Sequence, residues 1–185
     1  MKDSLLLLSN FIKKPKETGA VAPSSKFLTK EIIKNIDFKN SKNIVELGPG
    51  VGTFTKAILE MLRADSRLIC FEVNKKFCDY LGESMDDSRL LVVNEKAEKL
   101  CKYLKKYKIS DVDCIVSGLP FKNFGQQKRK RILQQVRECL SSNGSFVLFQ
   151  YTNGLLRLLE AHFPKVERKF VPLNIPPCFV YVCEK

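Results

Sequence analysis

The sequence predicts an α/β domain with a mainly parallel sheet, helices on both of its faces and a C-terminal antiparallel hairpin. Three observations carry that reading. Short β-rich apolar runs alternate with helical patterns from Ile44 onward. The last two extended runs, "VERKFVP" and "CFVYVCEK", have no helix between them and so read as an edge hairpin. Gly48, Gly50 and Gly52 fall within five positions, where the first strand turns into a helix.

In chain order, residues Lys2 to Lys14 read as an amphipathic helix. Leu5, Leu8 and Ile12 share one face, with Leu7 and Phe11 beside it. Pro15 stops this helix, and Lys13, Lys14 and Lys16 gather at its end. "TGAVAPSS" is a small-residue loop, and Ser25 caps a helix from Lys26 to about Ile36. The alternation then begins. "NIVELG" is a strand and Thr53 to Arg63 a helix; "RLICFEV" is a strand and Lys75 to Glu83 a helix. "RLLVV" is a strand and Glu98 to Tyr107 a helix; "VDCIVSG" is a strand and Gln126 to Leu140 a helix. "SFVLFQY" is a strand and Leu155 to Phe163 a helix, before the closing hairpin. No linker or repeat divides the 185 residues, so residues 1–25 form a leader to the same unit and residues 26–185 its main domain.

Composition narrows the function classes. The apolar run Leu5 to Leu8 is too short to span a membrane, and no signal-peptide order surrounds it. A cytoplasmic protein is expected. Seven cysteines make an odd number with no CxxC pair, and His162 is the only histidine. No zinc or other metal site is expected, and most of the cysteines read as small core residues. Lys and Arg total 32 against 20 acidic residues, a net charge of +12. Such an excess suits an anionic partner, nucleic acid or an acidic membrane surface, or else a solvated lysine-rich surface.

Glycines at the first strand-to-helix turn let the backbone approach a ligand closely. Glu72 ends the second strand, where a carboxylate can accept hydrogen bonds from both hydroxyls of a ribose. The pair points to a nucleoside-containing ligand. The spacing is GxGxG with Pro49 inside, and Glu46 precedes the first glycine, which argues against NAD.

"VELGPGVGTFT" resembles the first motif of class I S-adenosylmethionine-dependent methyltransferases, and Ile44 to Cys183 resembles their Rossmann-like seven-stranded fold. The resemblance implies S-adenosyl-L-methionine as cofactor. It implies that Glu46 and Gly48 to Gly52 lie against its methionine and ribose parts, that Glu72 holds the ribose hydroxyls and that Val73 flanks the adenine. Ser24, Ser25, Pro49, Thr53, Ala97 and Ser117 complete the implied cofactor set.

Two narrower likenesses compete. Ribosomal RNA adenine dimethyltransferases carry Asn-x-Pro-aromatic after the fourth strand. Here that stretch is Ser117, Gly118, Leu119, Pro120 and Phe121, with Gly118 at the Asn position. "SGLP", "TGAVAPSS", "VLFQYTNG" and "NIPPCFVY" are instead similar to bacterial phospholipid N-methyltransferases, which act on phosphatidylethanolamine. That likeness implies a phospholipid acceptor at an anionic membrane surface, reached by a peripherally attached monomer. It implies catalytic roles for Ser117 to Phe121 and for Tyr151. Leu5, Leu8, Phe11, Ile12, Lys13, Lys14 and Lys16 suit a membrane interface, or alternatively pack on the protein's own sheet. An RNA adenine acceptor and a non-catalytic binding module are the other readings. The basic run "QQKRKR" is a phosphate contact or a solvated helix face.

A primary alkylammonium titrates near that of lysine, about 10.4, so a proton must leave before its nitrogen can attack. Tyr151 is the candidate to orient or deprotonate it, and the rings of Phe121 and Tyr151 the candidates to face the growing methylammonium charge. One departure stands out: Lys96 occupies the place of an Asp that contacts the adenine amine in the family. Glu95 or Glu98 is expected to replace it only if the loop is rearranged.

Overall fold

The computed structural model describes residues 24–185. The leader residues Leu5, Leu8, Phe11, Ile12, Lys13, Lys14 and Lys16 lie outside the described residues.

Helix α1 (Lys26–Ile33) starts where expected, because the Ser25 hydroxyl accepts a hydrogen bond from the Leu28 N–H at 3.2 Å. It ends three residues early. The Asn35 and Ile36 N–H groups bond back three residues, to Ile32 and Ile33, which tightens the last turn. Strand β1 (Asn43–Leu47) leads through the glycine loop into α2 (Thr53–Met61). Then follow β2 (Arg67–Phe71), α3 (Lys75–Ser84) and β3 (Leu90–Val93). A 3-10 turn (Ala97–Lys99) precedes α4 (Leu100–Lys106), so the expected helix from Glu98 is split in two. Strand β4 (Val112–Ser117), a 3-10 turn (Phe121–Asn123), α5 (Gln126–Cys139) and β5 (Leu140–Gln150) come next. Short α6 (Leu156–Glu160) leads to the hairpin β6 (Lys165–Val171) and β7 (Cys178–Glu184).

All seven strands form one sheet in the order β3-β2-β1-β4-β5-β7-β6. The first five pair in parallel, and β7 pairs antiparallel with both β5 and β6. Chain order reverses between β1 and β4, so a crevice opens beyond the carboxyl ends of these two strands. Alternate strand residues feed two cores. Val45, Leu47, Ile69 and Ile115 meet α4, α5 and α6 through Leu104, Ile132, Val136 and Leu159. Ile44, Leu68, Cys70 and Val116 meet α1 and α2 through Leu28, Ile32, Phe54 and Ile58. With both faces covered, the central strands are mostly apolar, as a parallel sheet requires, with Glu46 of β1 the charged exception buried within it.

Cys70, Cys78, Cys114, Cys178 and Cys183 are buried free thiols, the core role expected of them. Cys101 and Cys139 are instead joined in a disulfide, with their Cα atoms 5.9 Å apart. No sequence spacing pointed to that pair; the packing of α4 on α5 brings it together.

Candidate active site

The glycine loop bends backwards from the end of β1. Gly48, Gly50 and Gly52 have φ of 72°, 55° and 81°, the left-handed region. Gly52 caps α2, and a Cβ there would lie 2.5 Å from Met85 Cε and 2.6 Å from Leu81 Cδ2. The loop is fixed by a 2.9 Å hydrogen bond from the Gly48 N–H to the Phe71 carbonyl. A cavity of about 400 Å³ opens beside it, within the range of small-molecule sites.

Glu72 lies on the cavity wall and is almost wholly buried. Its Oε2 accepts from the Gly50 N–H at 3.2 Å and its Oε1 from the Asn74 N–H at 2.9 Å. Asn94 donates to the Glu72 carbonyl at 2.9 Å, tying the end of β2 to the end of β3. The neighbouring Val73 is 65% exposed and also lines the cavity. A carboxylate with spare lone pairs beside an exposed apolar side chain suits a ribose next to a base.

Glu46 is placed differently from the expectation of direct contact. It lies beneath the loop, fully buried, and does not line the cavity. Strand alternation turns it toward α2, where its Oε2 accepts from Thr55 Oγ1 at 2.6 Å and from Cys70 Sγ at 3.4 Å. Its Oε1 is buried without a hydrogen-bond partner. Burial pushes this carboxyl up to about 7, against the lowering effect of the Thr55 and Cys70 hydrogen bonds.

After β4, Gly118, Leu119 and Pro120 form another part of the wall. A Cβ on Gly118 would lie 2.8 Å from the Gly48 carbonyl oxygen, so the two turns touch backbone to backbone. Ser117 is buried and its hydroxyl accepts from the Leu119 N–H at 3.2 Å. Gln150, at the end of β5, donates to the Leu119 carbonyl at 3.0 Å. Phe121 does not reach the cavity: its 3-10 turn drives the ring wholly into the core. Phe124 lines the wall instead, and the Lys128 ammonium sits 4.2 Å from its ring centroid. Tyr151 is also absent from the wall. β5 ends at Gln150, and the Tyr151 ring packs edge-on against Phe149, which does line the cavity, at 5.7 Å. Partial burial raises the Tyr151 phenol above its ordinary value.

Around the third strand, both acidic neighbours of Lys96 stand on the cavity wall. Lys96 is exposed and off the wall, while Glu95, Ala97 and Glu98 line it as the loop stands. Glu95 is engaged elsewhere: Lys99 at 2.6 Å, the Lys96 N–H and the Tyr103 hydroxyl hold its carboxyl down at about 2. Glu98 has a looser partner, Lys128 at 3.5 Å.

The cavity thus gathers Ser24, Gly48, Pro49, Gly50, Thr53, Glu72, Val73, Ala97, Gly118, Leu119 and Pro120 of the sequence candidates. Ser25, Glu46, Gly52 and Ser117 stand behind it as supports. Thr55, Asn74, Phe124 and Gln150 escaped the sequence reading, and Lys128 entered it only as part of the basic run "QQKRKR". Only Gln150 left a local trace there, as a polar residue closing an apolar run. Most of "QQKRKR" is an exposed helix face, but Arg129 donates to the Phe124 and Lys122 carbonyls and Lys128 reaches the cavity. Among the described residues, no three His, Cys, Asp or Glu side chains group to hold a metal. No described helix is long and apolar enough to cross a membrane.

Residues 23–158 match the family model described as "Ribosomal RNA adenine dimethylase". The chain is 31% identical to an ornithine lipid N-methyltransferase of Singulisphaera acidiphila, over 99% of this chain and 96% of that protein. It is 33% identical to ribosomal RNA small subunit methyltransferase A of Borreliella burgdorferi, over 51% of this chain and 31% of that protein. Among solved structures, human methyltransferase-like protein 13 in complex with SAH superposes with a TM-score of 0.69 at 14% identity, covering 86% of this chain and 82% of that one. A precorrin-6y C5,15-methyltransferase of Geobacter metallireducens superposes at 0.68 and 16% identity, covering 85% and 88%. At these identities the structural likeness speaks for the fold alone.

Proposed function

The chain belongs to the ribosomal RNA adenine dimethylase family of S-adenosylmethionine-dependent methyltransferases, and from that premise we propose that its acceptor is the amine of a membrane-lipid head group. Phosphatidylethanolamine-type lipids and ornithine lipid both offer such an amine. The observation that carries the reading is the contact between Gly118 and Gly48. Any side chain at Gly118 would collide with a carbonyl 2.8 Å away, so the site has neither an Asn there nor room for one. A flat, weakly basic adenine amine needs that amide; an alkylamine does not. The whole-length likeness to the ornithine lipid enzyme supports the same choice, whereas the likeness to the Borreliella ribosomal RNA enzyme covers only 31% of that protein.

The cofactor, when bound, supplies an electrophilic methyl group on a sulfonium. Glu72, Val73 and Ala97 line the cavity; Glu72 would accept from the ribose hydroxyls, and Val73 and Ala97 would flank the base. The 2.6 Å hydrogen bond from Thr55 Oγ1 to Glu46 Oε2 supports a positioning role beneath the glycine loop. Gly118, Leu119 and Pro120 shape the opening through which the acceptor nitrogen meets the methyl group, a matter of alignment more than covalent catalysis. Gln150 holds that turn through the Leu119 carbonyl. The Phe124 ring lines the cavity, and the Lys128 ammonium occupies one of its faces. Tyr151, packed against Phe149 and held as a neutral phenol, is our candidate to orient the incoming amine, whose proton leaves to water.

The test is labelled S-adenosylmethionine with purified protein and, separately, phosphatidylethanolamine vesicles, ornithine lipid vesicles and small-subunit ribosomal RNA. Label on a lipid amine is expected. Label on RNA with none on either lipid overturns the proposal.

A further inference from the structure

We propose that the β6–β7 turn, together with Phe27, is a docking surface for an anionic lipid bilayer that seats the cavity mouth on the membrane. This inference rests on the lipid-acceptor reading and adds the surface that delivers the acceptor.

The turn lies between Val171 and Cys178. Gln150, the last residue of β5, pairs with Phe179, so the turn projects beyond the carboxyl end of β5, the end of the sheet that holds the cavity. Asn174 is buried and anchors it: its Oδ1 accepts from the Ser25 N–H at 3.3 Å and its Nδ2 donates to the Pro176 carbonyl at 2.7 Å. Ser24, one residue earlier than Ser25, lines the cavity. On either side of Asn174, Leu173 is 60% and Ile175 90% exposed. A turn that is pinned by its one polar residue and presents its apolar ones to solvent holds those side chains out at no further ordering cost.

Phe27, 55% exposed at the start of α1, widens the patch. Phe27 stands one helical turn before Glu31, on the same side of α1, and Glu31 reaches Lys169 of β6 at 2.9 Å. Scattered exposed apolar residues need no partner, but Phe27, Leu173 and Ile175 gather where the Ser25–Asn174 hydrogen bond joins the start of α1 to the turn, a grouping suited to one. The chemistry of the partner follows from the rim. Lys26, Lys30 and Lys169 are exposed on α1 and on the α1 side of β6, in a chain of net charge +12. Apolar tips within a basic rim match the acyl boundary and the phosphates of an anionic leaflet.

The chain has no tryptophan, so Ile175→Trp supplies a single fluorophore. On vesicles of phosphatidylglycerol and phosphatidylethanolamine, its emission is expected to shift to the blue and to be quenched by brominated acyl chains. Met61→Trp, at an exposed apolar site on the far end of α2, is expected to do neither. The double variant Leu173→Ser, Ile175→Ser is expected to cosediment with these vesicles at least tenfold more weakly, with its thermal shift by S-adenosylmethionine retained. Three results overturn the proposal: no shift on vesicles, an emission already blue before vesicles are added and unchanged by them, or undiminished cosedimentation of the double variant. The second result assigns the patch to residues 1–23 or to a second copy. If the introduced tryptophan enters the bilayer but no lipid is labelled, the docking surface stands and the acceptor reading falls. Labelling of detergent-dispersed lipid without vesicle contact gives the reverse.

Discussion

Gly118 and Gly48 meet so closely that a Cβ on Gly118 would lie 2.8 Å from the Gly48 carbonyl oxygen. The contact joins the two turns that face each other across the switch point of the sheet. Gly118→Ala must push them apart, at a cost of about 1–3 kcal/mol. A lower thermal midpoint and at least tenfold weaker S-adenosylmethionine binding by calorimetry are expected. Gly82→Ala, whose added Cβ meets nothing within 4 Å, is the control and should leave both unchanged or raise the midpoint.

Glu72→Gln tests the nucleoside site. The carboxylate takes the Gly50 and Asn74 N–H groups and has further lone pairs facing the cavity. Replacing charge-assisted hydrogen bonds by neutral ones should weaken cofactor binding by roughly 10- to 100-fold, about 1.5–3 kcal/mol. Unchanged affinity in a calorimetric titration would place the ribose elsewhere.

Gln150→Leu removes the donor to the Leu119 carbonyl while keeping side-chain volume near constant. If Gln150 positions the acceptor side of the cavity, kcat should fall about tenfold with KM for the cofactor little changed, the size of one lost buried hydrogen bond. An equal rise in the cofactor KM would show that the turn serves binding instead.

Glu46 gives the free protein a pH dependence. Its carboxyl titrates near 7 when folded, against an ordinary 4.5, because burial disfavours the charge. Between those values the folded state holds a proton that the unfolded state has released, so stability falls as pH rises through that window and levels off above it. The loss is roughly 3 kcal/mol. Denaturant midpoints measured from pH 4 to 8 should show the decline in the parent, and Glu46→Gln should flatten it.

Several parts of this site could be read before any coordinates. Glu72 was legible because a parallel strand that follows the first fixes where its last residue falls. The glycine turn was legible because GxGxG between an apolar run and a helix leaves few backbone solutions. The ring that faces the cavity was not legible: Phe121 opens a short 3-10 turn and Phe124 follows it in extended conformation, and which of them faces the core depends on the turn's geometry. Nor was the depth of Glu46. Alternation said it pointed to one face of the sheet, but the ligand lies at the end of the strands, on neither face.

The sequence by itself determined the sheet, its two covering layers and the position of the ligand loop. These depend on periodicity and turn chemistry, which act over a few residues. Only the tertiary structure decided what stands around the loop. Ser25 and Asn174 are 149 residues apart, yet one hydrogen bond between them sets the hairpin turn beside the cavity. Gln150 and Leu119, 31 apart, fix the opposite wall. Contacts between distant segments form because the folded layers leave each buried polar group only one or two partners in reach, and no local pattern encodes which partners those are.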